Sequence, residues 1–447
     1  MKLTLNNMLC LATLATLASI STAPTVGATI EWTRQLGTRG ADEVRGVSAD
    51  GLGNVYITGR TSGRLGAASA GYYDAFVSKY DAAGTLLWTG QLGTVSGDFS
   101  RGVSADGLGN VYISGYTNGN LDGTSAGSND AFVSKYDTFG TLLWTKQLGT
   151  SSSDISNGVS ADGLGNVYIS GRTRGSLDGV NAGDSDAFVS KYDAAGTLLW
   201  TEQLGTSQWD MSFGVSADGI GNVYISGITT GNLDGGSNAR GSNAFVSKYD
   251  TAGTLLWTEQ LNNNNSGSYS VSADGLGNVY ISGRIYSKLD GEDTESHNAF
   301  VSKYDAAGTL LWTEQLGTSS LDTSYGVSAD GLGNVYISGL TQGSLGGVNA
   351  GDDDVFVSKY DASGTLLWTE QLGTSLEDHG YGGVSADGLG NVYIAGDTKG
   401  SLGGANAGGS DAFVIKFNDI PEPSGLVLLS LAGLAWAARW RCRRHRA

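Results

Sequence analysis

The sequence predicts an all-β fold, a seven-bladed β-propeller built from four-stranded antiparallel blades. Its composition is the first indication: 71 of 447 residues are glycine, only 3 are proline, and 16% are charged. Short runs of Val, Ile, Tyr, Phe, Trp and Thr lie between clusters of Gly, Asp and Asn, as is typical of β-proteins. The second indication is a sevenfold repeat, and the third is an unpaired strand that precedes it.

The repeat is marked by the tetrapeptide Val-Ser-Ala-Asp, which recurs every 56 residues and once after 57. A fixed period of this length is typical of propeller blades. The tetrapeptide begins at Val47, Val103, Val159, Val215, Val271, Val327 and Val384.

Four strands fit each repeat. Asp-Gly-Leu-Gly joins the first pair and Asp-Ala-Ala-Gly the second, and both supply the backbone conformations of tight hairpins. In the third repeat the predicted strands are 158–161, 166–171, 187–192 and 197–204.

The two ends of the repeat region predict a closed ring. The last repeat stops after its third strand, at 413–417, while a lone copy of the fourth strand stands at 30–36. Pairing the first strand with the last blade would remove two exposed sheet edges. The alternative, an open stack, would require polar capping repeats, which the sequence lacks.

The segments outside the repeats have the features of processing signals. Residues 1–28 contain an early lysine, an apolar stretch at 8–20 and small residues before Ala28, as in a secretory signal peptide cleaved there. A buried helix is the alternative. Residues 419–447 contain Pro421-Glu422-Pro423, an apolar run at 425–438 and an arginine cluster. The apolar run is short for a full membrane span but adequate for a transient stop.

Two resemblances follow from these residues. The patterns Asp-Gly-x-Gly-Asn-Val-Tyr and Ala-Phe-Val-x-Lys-Tyr-Asp, repeated over 29–418, resemble the bacterial SBBP β-propeller repeats, which implies an exported propeller without one defined activity. The tail resembles the PEP-CTERM sorting signal, which implies processing by an exosortase-type enzyme in a Gram-negative bacterium. The alternative is an ordinary C-terminal anchor that is never cut.

Charge and cysteine content narrow the function classes. The formal net charge is −18, and six of the 26 basic residues lie in the two end segments, so the body is more acidic still. Such a surface disfavours nucleic acid and anionic membranes as partners. Both cysteines, Cys10 and Cys442, lie in the end segments, so we expect neither disulfides nor thiol chemistry in the body.

The candidate ligand site follows from a comparison of the seven repeats. The tight hairpins barely differ, whereas almost all variation falls on the loops of the opposite face, where binding residues usually lie. One variable position, two residues before each Val-Ser-Ala-Asp, should form a ring near the axis that suits an acidic or neutral sugar. The alternative is drift after duplication. The position holds Arg45, Arg101, Asn157, Phe213, Tyr269, Tyr325 and Gly382, with Trp209 in the same class of loop.

Carboxylates recur in these loops. Six inter-blade loops carry an aspartate that we expect to cap backbone N–H groups, with Gly267 as the exception. The stretches 122–130 and 178–186 partly resemble calcium-binding loops but lack their middle carboxylates, so calcium is a candidate ligand and no other cofactor is indicated. The residues concerned are Asp122, Asp130, Asp178, Asp184 and Asp186.

Catalysis has little support in the sequence. Of the three histidines only His297 and His379 lie in the body, and neither belongs to a triad or a metal-binding spacing, so we expect both to be solvated loop residues. We therefore expect a non-enzymatic scaffold at the cell surface or in the extracellular matrix, holding exopolysaccharide or a surface protein. A propeller glycan lyase or hydrolase and a structural coat protein are the alternatives. Carboxylates and a histidine clustered around one pocket would favour the enzyme.

Overall fold

A computed structural model describes residues 27–123, 125–235, 241–261, 265–288 and 295–419. These residues form 29 strands. No helix among them is long and apolar enough to cross a membrane. The strands are β1 (Thr29–Leu36), β2 (Asp42–Ala49), β3 (Val55–Thr61), β4 (Asp74–Tyr80), β5 (Leu86–Leu92), β6 (Asp98–Ala105), β7 (Val111–Thr117), β8 (Asp130–Tyr136), β9 (Leu142–Leu148), β10 (Asp154–Ala161), β11 (Val167–Thr173), β12 (Asp186–Tyr192), β13 (Leu198–Leu204), β14 (Asp210–Ala217), β15 (Val223–Thr229), β16 (Asn243–Tyr249), β17 (Leu255–Leu261), β18 (Ser266–Ala273), β19 (Val279–Lys288), β20 (Glu295–Tyr304), β21 (Leu310–Leu316), β22 (Asp322–Ala329), β23 (Val335–Thr341), β24 (Asp354–Tyr360), β25 (Leu366–Leu372), β26 (Asp378–His379), β27 (Val384–Ala386), β28 (Asn391–Thr398) and β29 (Asp411–Asn418).

The strands form seven sheets, one for each repeat, and the predicted seven-bladed propeller is confirmed. Six blades are four-stranded meanders in chain order, such as β2-β3-β4-β5, with antiparallel neighbours. The first strand of each blade lies at the axis, because residues of all seven first strands line the same central cavity. The propeller body comprises Ile30–Asn418.

The predicted hairpins are correct, but the innermost strands are longer than predicted. In the third blade β10 begins at Asp154, four residues before the predicted start at Gly158. The pairing with β11 continues past an irregularity between Ser156 and Gly158, where one residue is skipped. The sequence before Gly158 lacks an apolar alternation, and for that reason the prediction ended there.

The predicted ring closure is confirmed. The last sheet has the order β1-β29-β28-β26, so the N-terminal strand is the outermost strand of the last blade. Gln35 of β1 donates to Asp411 Oδ2 at 2.9 Å and accepts from Leu402 N at 3.1 Å. Gln203 makes the same contacts inside the third blade, with Asp186 at 2.8 Å and Leu177 N at 3.1 Å. The closing strand is therefore held like an internal one.

Packing between blades is also repeated at the closure. The indole of Trp200 donates to the backbone carbonyl of Thr251 in the next blade at 3.2 Å. Trp32 of β1 donates in the same way to Ala82 of the first blade at 3.0 Å and packs against Tyr393. Trp32 is buried in a core cluster that joins the last blade to the first.

Apolar side chains occupy both faces of the two middle strands, and they are buried together with some polar side chains such as Ser78 and Lys79. In every residue of β4 and β12, for example, the side chain is inaccessible to solvent or nearly so. Tyr56 of one blade packs in the same cluster as Phe132 of the next. Each blade is thus covered on two sides by its neighbours, which explains why aromatic residues recur without the polar alternation of a half-exposed sheet.

The recurring loop aspartates anchor the start of each innermost strand. Asp42 accepts hydrogen bonds from Thr38 N at 2.5 Å, from Thr38 Oγ1 at 2.8 Å and from Thr61 Oγ1 across the ladder. Burial raises the pKa of Asp42, an effect that these hydrogen bonds oppose. The strand register places Ser266, not Gly267, at this position in the fifth blade.

A matched pair of substitutions tests the closure. Gln35→Ala and Gln203→Ala each remove side-chain hydrogen bonds to a buried aspartate and to loop backbone. We expect each to lower the free energy of unfolding by about 1–3 kcal/mol, because buried acceptors and donors lose their partners. Urea unfolding monitored by tryptophan fluorescence measures both. A cost for Gln203→Ala with none for Gln35→Ala would contradict the closed ring.

Candidate functional site: the axial ring

The axial position predicted from the sequence is a β-bulge residue. In each of the first six blades the ladder between the first two strands skips one residue, such as Arg45 between Val44 and Gly46, or Tyr325 between Ser324 and Gly326. A bulged residue has no cross-strand partner, and its side chain can be aimed away from the sheet. The same irregularity occurs at Arg101, Asn157, Phe213 and Tyr269.

These six residues line one cavity on the propeller axis, as predicted. The cavity has a volume of about 140 Å³. An engineered apolar cavity of about 150 Å³ holds one benzene molecule, so the axial cavity matches a single ring-sized group. We define the axial ring as these six residues together with Tyr381.

Gly382 lines the axial cavity, but the seventh side chain of the axial ring is that of its neighbour Tyr381. Its ring centroid lies 4.8 Å from that of Tyr325, and the Arg45 guanidinium lies 4.7 Å from its centroid on the other side. The last repeat carries one additional residue between Asp378 and Val384. The spacing before Val384 therefore predicts Gly382 at the axial position, whereas the spacing after Asp378 predicts Tyr381.

The axial ring has an aromatic side. Phe213 and Tyr269 meet edge to face with centroids 5.4 Å apart, and Tyr269 stacks on Tyr325 at 5.4 Å. With Tyr381 these side chains form an unbroken row across four adjacent blades. Arg284 lies over Tyr269 at 5.9 Å. Aromatic faces of this kind bind apolar faces of ligands and cations.

Trp209 lies apart from the axial ring. It is 41% exposed and is not among the residues that line the axial cavity. Its partner is Arg174, whose guanidinium lies 5.8 Å from the indole centroid. The predicted grouping of Trp209 with the ring residues is therefore not seen. Trp209 lies before β14, which begins at Asp210, whereas the bulge residue lies inside that strand.

The opposite mouth of the axis is uniform. It is lined by the Ala-Asp-Gly of all seven first hairpins around a cavity of about 490 Å³. Each of these aspartates binds its own hairpin: Asp162, for instance, accepts from Leu164 N at 2.8 Å and Asn166 Nδ2 at 2.6 Å. The side chains that differ between blades at the axis therefore lie at the axial ring.

Sequence reasoning missed a charged cluster beside the axial ring. His379, expected to be a solvated loop residue, has a side chain only 17% exposed. Its Nδ1 lies 3.1 Å from Asp397 Oδ2, and its Nε2 lies 3.3 Å from Asp353 Oδ2 and 3.8 Å from Glu377 Oε2. The hydrogen bond to Asp397 and the nearby carboxylates raise the pKa of His379, while burial opposes them.

This cluster is joined to the axial ring through two of its members. Asp397 also binds Arg45, with Nη1 to Oδ1 at 3.2 Å, and the imidazole of His379 lies 4.8 Å from the ring of Tyr381. Strand pairing places His379 opposite Asp397. The last repeat has a histidine and an aspartate at these two paired positions, and this pair of residues is the feature of the sequence that indicates the cluster.

The five aspartates considered for calcium do not come together. Within the described ranges no three His, Cys, Asp or Glu side chains form a group suited to a metal ion. Asp130 and Asp186 are buried and accept hydrogen bonds from Gln147 and Gln203. Asp122 accepts from the backbone of Gln147 at 2.8 Å, and Asp178 and Asp184 lie at the loop surface.

The processing residues are only partly described. Ala28 directly precedes β1, so cleavage there would leave the closing strand intact. Pro421, Glu422 and Pro423 lie outside the described residues.

Several of the repeats match a known protein family. Five segments match the family described as "Beta-propeller repeat", SBBP: residues 31–66, 87–122, 143–178, 311–346 and 367–403. These five segments are SBBP repeats, and together they cover less than half of the chain. Each matched segment runs from the outermost strand of one blade through the first two strands of the next, and the first SBBP segment begins inside β1. The matches thus treat the closing strand as an outer blade strand.

Two other proteins are similar to this chain at low identity. It is 24% identical over 347 residues to the "Uncharacterized WD repeat-containing protein L264" of Acanthamoeba polyphaga mimivirus, covering 65% of this chain and 23% of that protein. It is 26% identical over 443 residues to the "Regulatory protein FlaEY" of Caulobacter vibrioides, covering 81% of this chain and 45% of that protein. The chain spans less than half the length of either relative.

A solved structure is similar as well. The β-propeller domain of the Trilobed protease from Pyrococcus furiosus, described as having an open velcro topology, matches with a TM-score of 0.42 and 10% identity. The match covers 89% of this chain and 98% of that one.

The two histidines give opposite pH dependences. The pKa of His379 is raised, so its charged form stabilises the fold fully below the unfolded pKa of about 6.5, and this contribution is lost as pH rises through the folded pKa. The pKa of His297 is lowered by burial and by Arg284, so wild-type protein loses stability as pH falls below about 6.5.

We therefore expect His379→Gln to destabilise the protein more at pH 5.5 than at pH 9, and His297→Gln to show the reverse trend. Urea unfolding at the two pH values measures both. Weaker destabilisation by His379→Gln at pH 5.5 than at pH 9 would contradict the assigned surroundings of His379.

Proposed function

We propose that this protein is an exported, non-enzymatic binding scaffold that holds polysaccharide or a surface protein at the axial ring. One observation carries the proposal: on a scaffold repeated seven times, the bulge residues facing the axis carry four different kinds of side chain, arginine, asparagine, phenylalanine and tyrosine. Uniform side chains would suffice to close the ring. Rigid strands that present varied residues at one point are typical of binding sites.

Polysaccharide is the preferred ligand because of the chemistry of the axial ring. Its aromatic side offers a row of flat faces, and its other members offer arginine and an amide that can bind hydroxyl and acidic groups. The cavity of about 140 Å³ admits one sugar-sized unit, with the rest of a chain lying across the mouth.

The proposed location rests on the two end segments. Residues 1–28 have the features of an export signal, and residues 419–447 those of a PEP-CTERM signal for an exosortase-type enzyme. The proposed setting is the cell surface or extracellular matrix of a Gram-negative bacterium, with contact to the membrane through the tail only before processing. Nucleic acid is not a proposed partner of so acidic a chain.

A glycan lyase or hydrolase is the second candidate function, and one observation favours it. His379, Asp397 and Asp353 form a carboxylate–histidine cluster beside Tyr381 of the axial ring. A histidine oriented by one carboxylate and adjacent to a ligand cavity suits general acid–base chemistry. The binding scaffold remains the first proposal because Asp397 and Glu377 also neutralise Arg45 and Lys399, which is a structural role.

Binding is tested by co-sedimentation of the purified protein with the exopolysaccharide of the producing bacterium. We expect saturable binding that Tyr325→Ala weakens roughly five- to tenfold, about 1–1.4 kcal/mol, because a stacking face is lost. Tyr286→Ala is the matched control, since Tyr286 is 40% exposed and does not line the axial cavity. Equal loss in both variants, or no binding by wild type, would contradict the proposed site.

The same incubation separates the two functions. For a scaffold, the sugar chain length measured by size-exclusion chromatography stays constant over time. For a lyase or hydrolase the chains shorten, and His379→Gln abolishes the shortening, whereas His297→Gln does not. Shortening by the wild-type protein would replace the scaffold proposal with the enzymatic one.

A further inference from the structure

Arg101, which lines the axial cavity, and Arg172, which does not, have no carboxylate partner within the described part of the chain. Arg101 of the axial ring donates to Asn157 Oδ1 at 2.8 Å, and its guanidinium lies 5.1 Å from the centroid of Tyr116. Arg172 on β11 reaches only the Met211 sulfur, at 3.6 Å. Both arginines are partly buried.

The neighbouring Arg45 and Arg60, in contrast, are paired with carboxylates. Glu43 binds both Arg45 and Arg60, each at 2.6 Å, and Asp397 binds Arg45 as well. The chain has 44 acidic residues against 26 basic ones. Carboxylates are thus abundant and are placed beside one arginine pair, yet the described residues place none beside the other.

The missing counter-charge has an energetic cost. Burial lowers the pKa of Arg101, Tyr116 opposes this effect, and the charges of Arg45 and Arg60 lower the pKa further. Burial likewise lowers the pKa of Arg172, together with the charges of Arg174 and Arg101. Because arginine stays protonated in proteins, this cost is not relieved by deprotonation and destabilises the ligand-free fold.

We propose that Arg101, which lines the axial cavity, forms an anion subsite that receives the carboxylate of an acidic sugar unit, with the charge of Arg172 from the next blade adding to the local positive potential. The inference rests on the proposed function and specifies its ligand class. A guanidinium matches a carboxylate by two parallel hydrogen bonds. The sugar ring occupies the cavity, with its apolar face toward Phe213 and Tyr269 across the axis.

An uronic acid fits this arrangement better than a neutral sugar. Leaving two desolvated cations unpaired in the complex would keep their cost, whereas a carboxylate removes it. The rest of the surface is acidic and repels polyanions, so the anion must enter where the arginines concentrate.

The probes are an octamer of α-1,4-linked galacturonate and its fully methyl-esterified form, which has the same sugar rings without charges. Titration calorimetry of the full-length protein should give saturable binding of the acid form and at least tenfold weaker binding of the ester. Arg101→Gln should reduce the affinity for the acid form to that for the ester, and Arg172→Gln should weaken it in the same direction. Arg39→Gln, an exposed arginine outside the cavity lining, is the matched control and should have no effect.

Thermal unfolding supplies a second measurement that a structural role would not reproduce. Without ligand, Arg101→Gln should melt at the wild-type temperature or higher, because an unpaired buried charge is removed. The acid octamer should raise the melting temperature of wild type and not of the variant. A lower melting temperature with unchanged affinity would make Arg101 a structural residue and overturn the proposal.

The remaining outcomes separate this inference from the proposed function. Equal binding of acid and ester forms, unaffected by Arg101→Gln, would leave a sugar-binding axial ring without an anion subsite. Tighter binding of poly-L-glutamate than of galacturonate would overturn the acidic sugar in favour of an acidic peptide. Absence of exopolysaccharide binding in the earlier assay contradicts the proposed function itself.

Discussion

Burial of both faces of the middle strands is the constraint on which the rest of the structure depends. A blade such as β2-β3-β4-β5 has apolar side chains on two sides, and water can be excluded from both only by a neighbour on each side. No blade can therefore be terminal. The ring has to close, and closure fixes every innermost strand at a common distance from the axis.

The closing strand meets this constraint with side chains of the internal blades. Trp32 and Gln35 repeat the contacts of Trp200 and Gln203. Because the first and last parts of the body share one sheet, separation of the chain ends would uncover the core cluster that joins the last blade to the first. The fold is thus stabilised by joining the most distant parts of its sequence.

Much of the fold was predictable from the sequence, because each turn and strand pattern occurs in seven copies that can be compared. Strand number, hairpins, closure and six members of the axial ring follow from the spacing of Val-Ser-Ala-Asp and the lone strand at 30–36. Tyr381 was missed because one additional residue shifts the count in the last repeat.

The cluster at His379 was missed for a different reason. Its partners Asp353 and Asp397 come from a loop of the preceding blade and from β28. Only strand register and blade packing bring them together, and a comparison of repeats position by position examines neither. The unpaired state of Arg101 was hidden likewise, since it depends on which carboxylates reach the axis.

The bulge at six of the seven axial positions has a consequence for how such a protein can change. A side chain outside the hydrogen-bonded ladder contributes little to strand pairing, so its identity is nearly independent of the architecture around it. Each of these six side chains can therefore be exchanged by mutation while the backbone and the other axial side chains keep their positions. Related propellers with the same blades can in this way differ entirely in what they recognise.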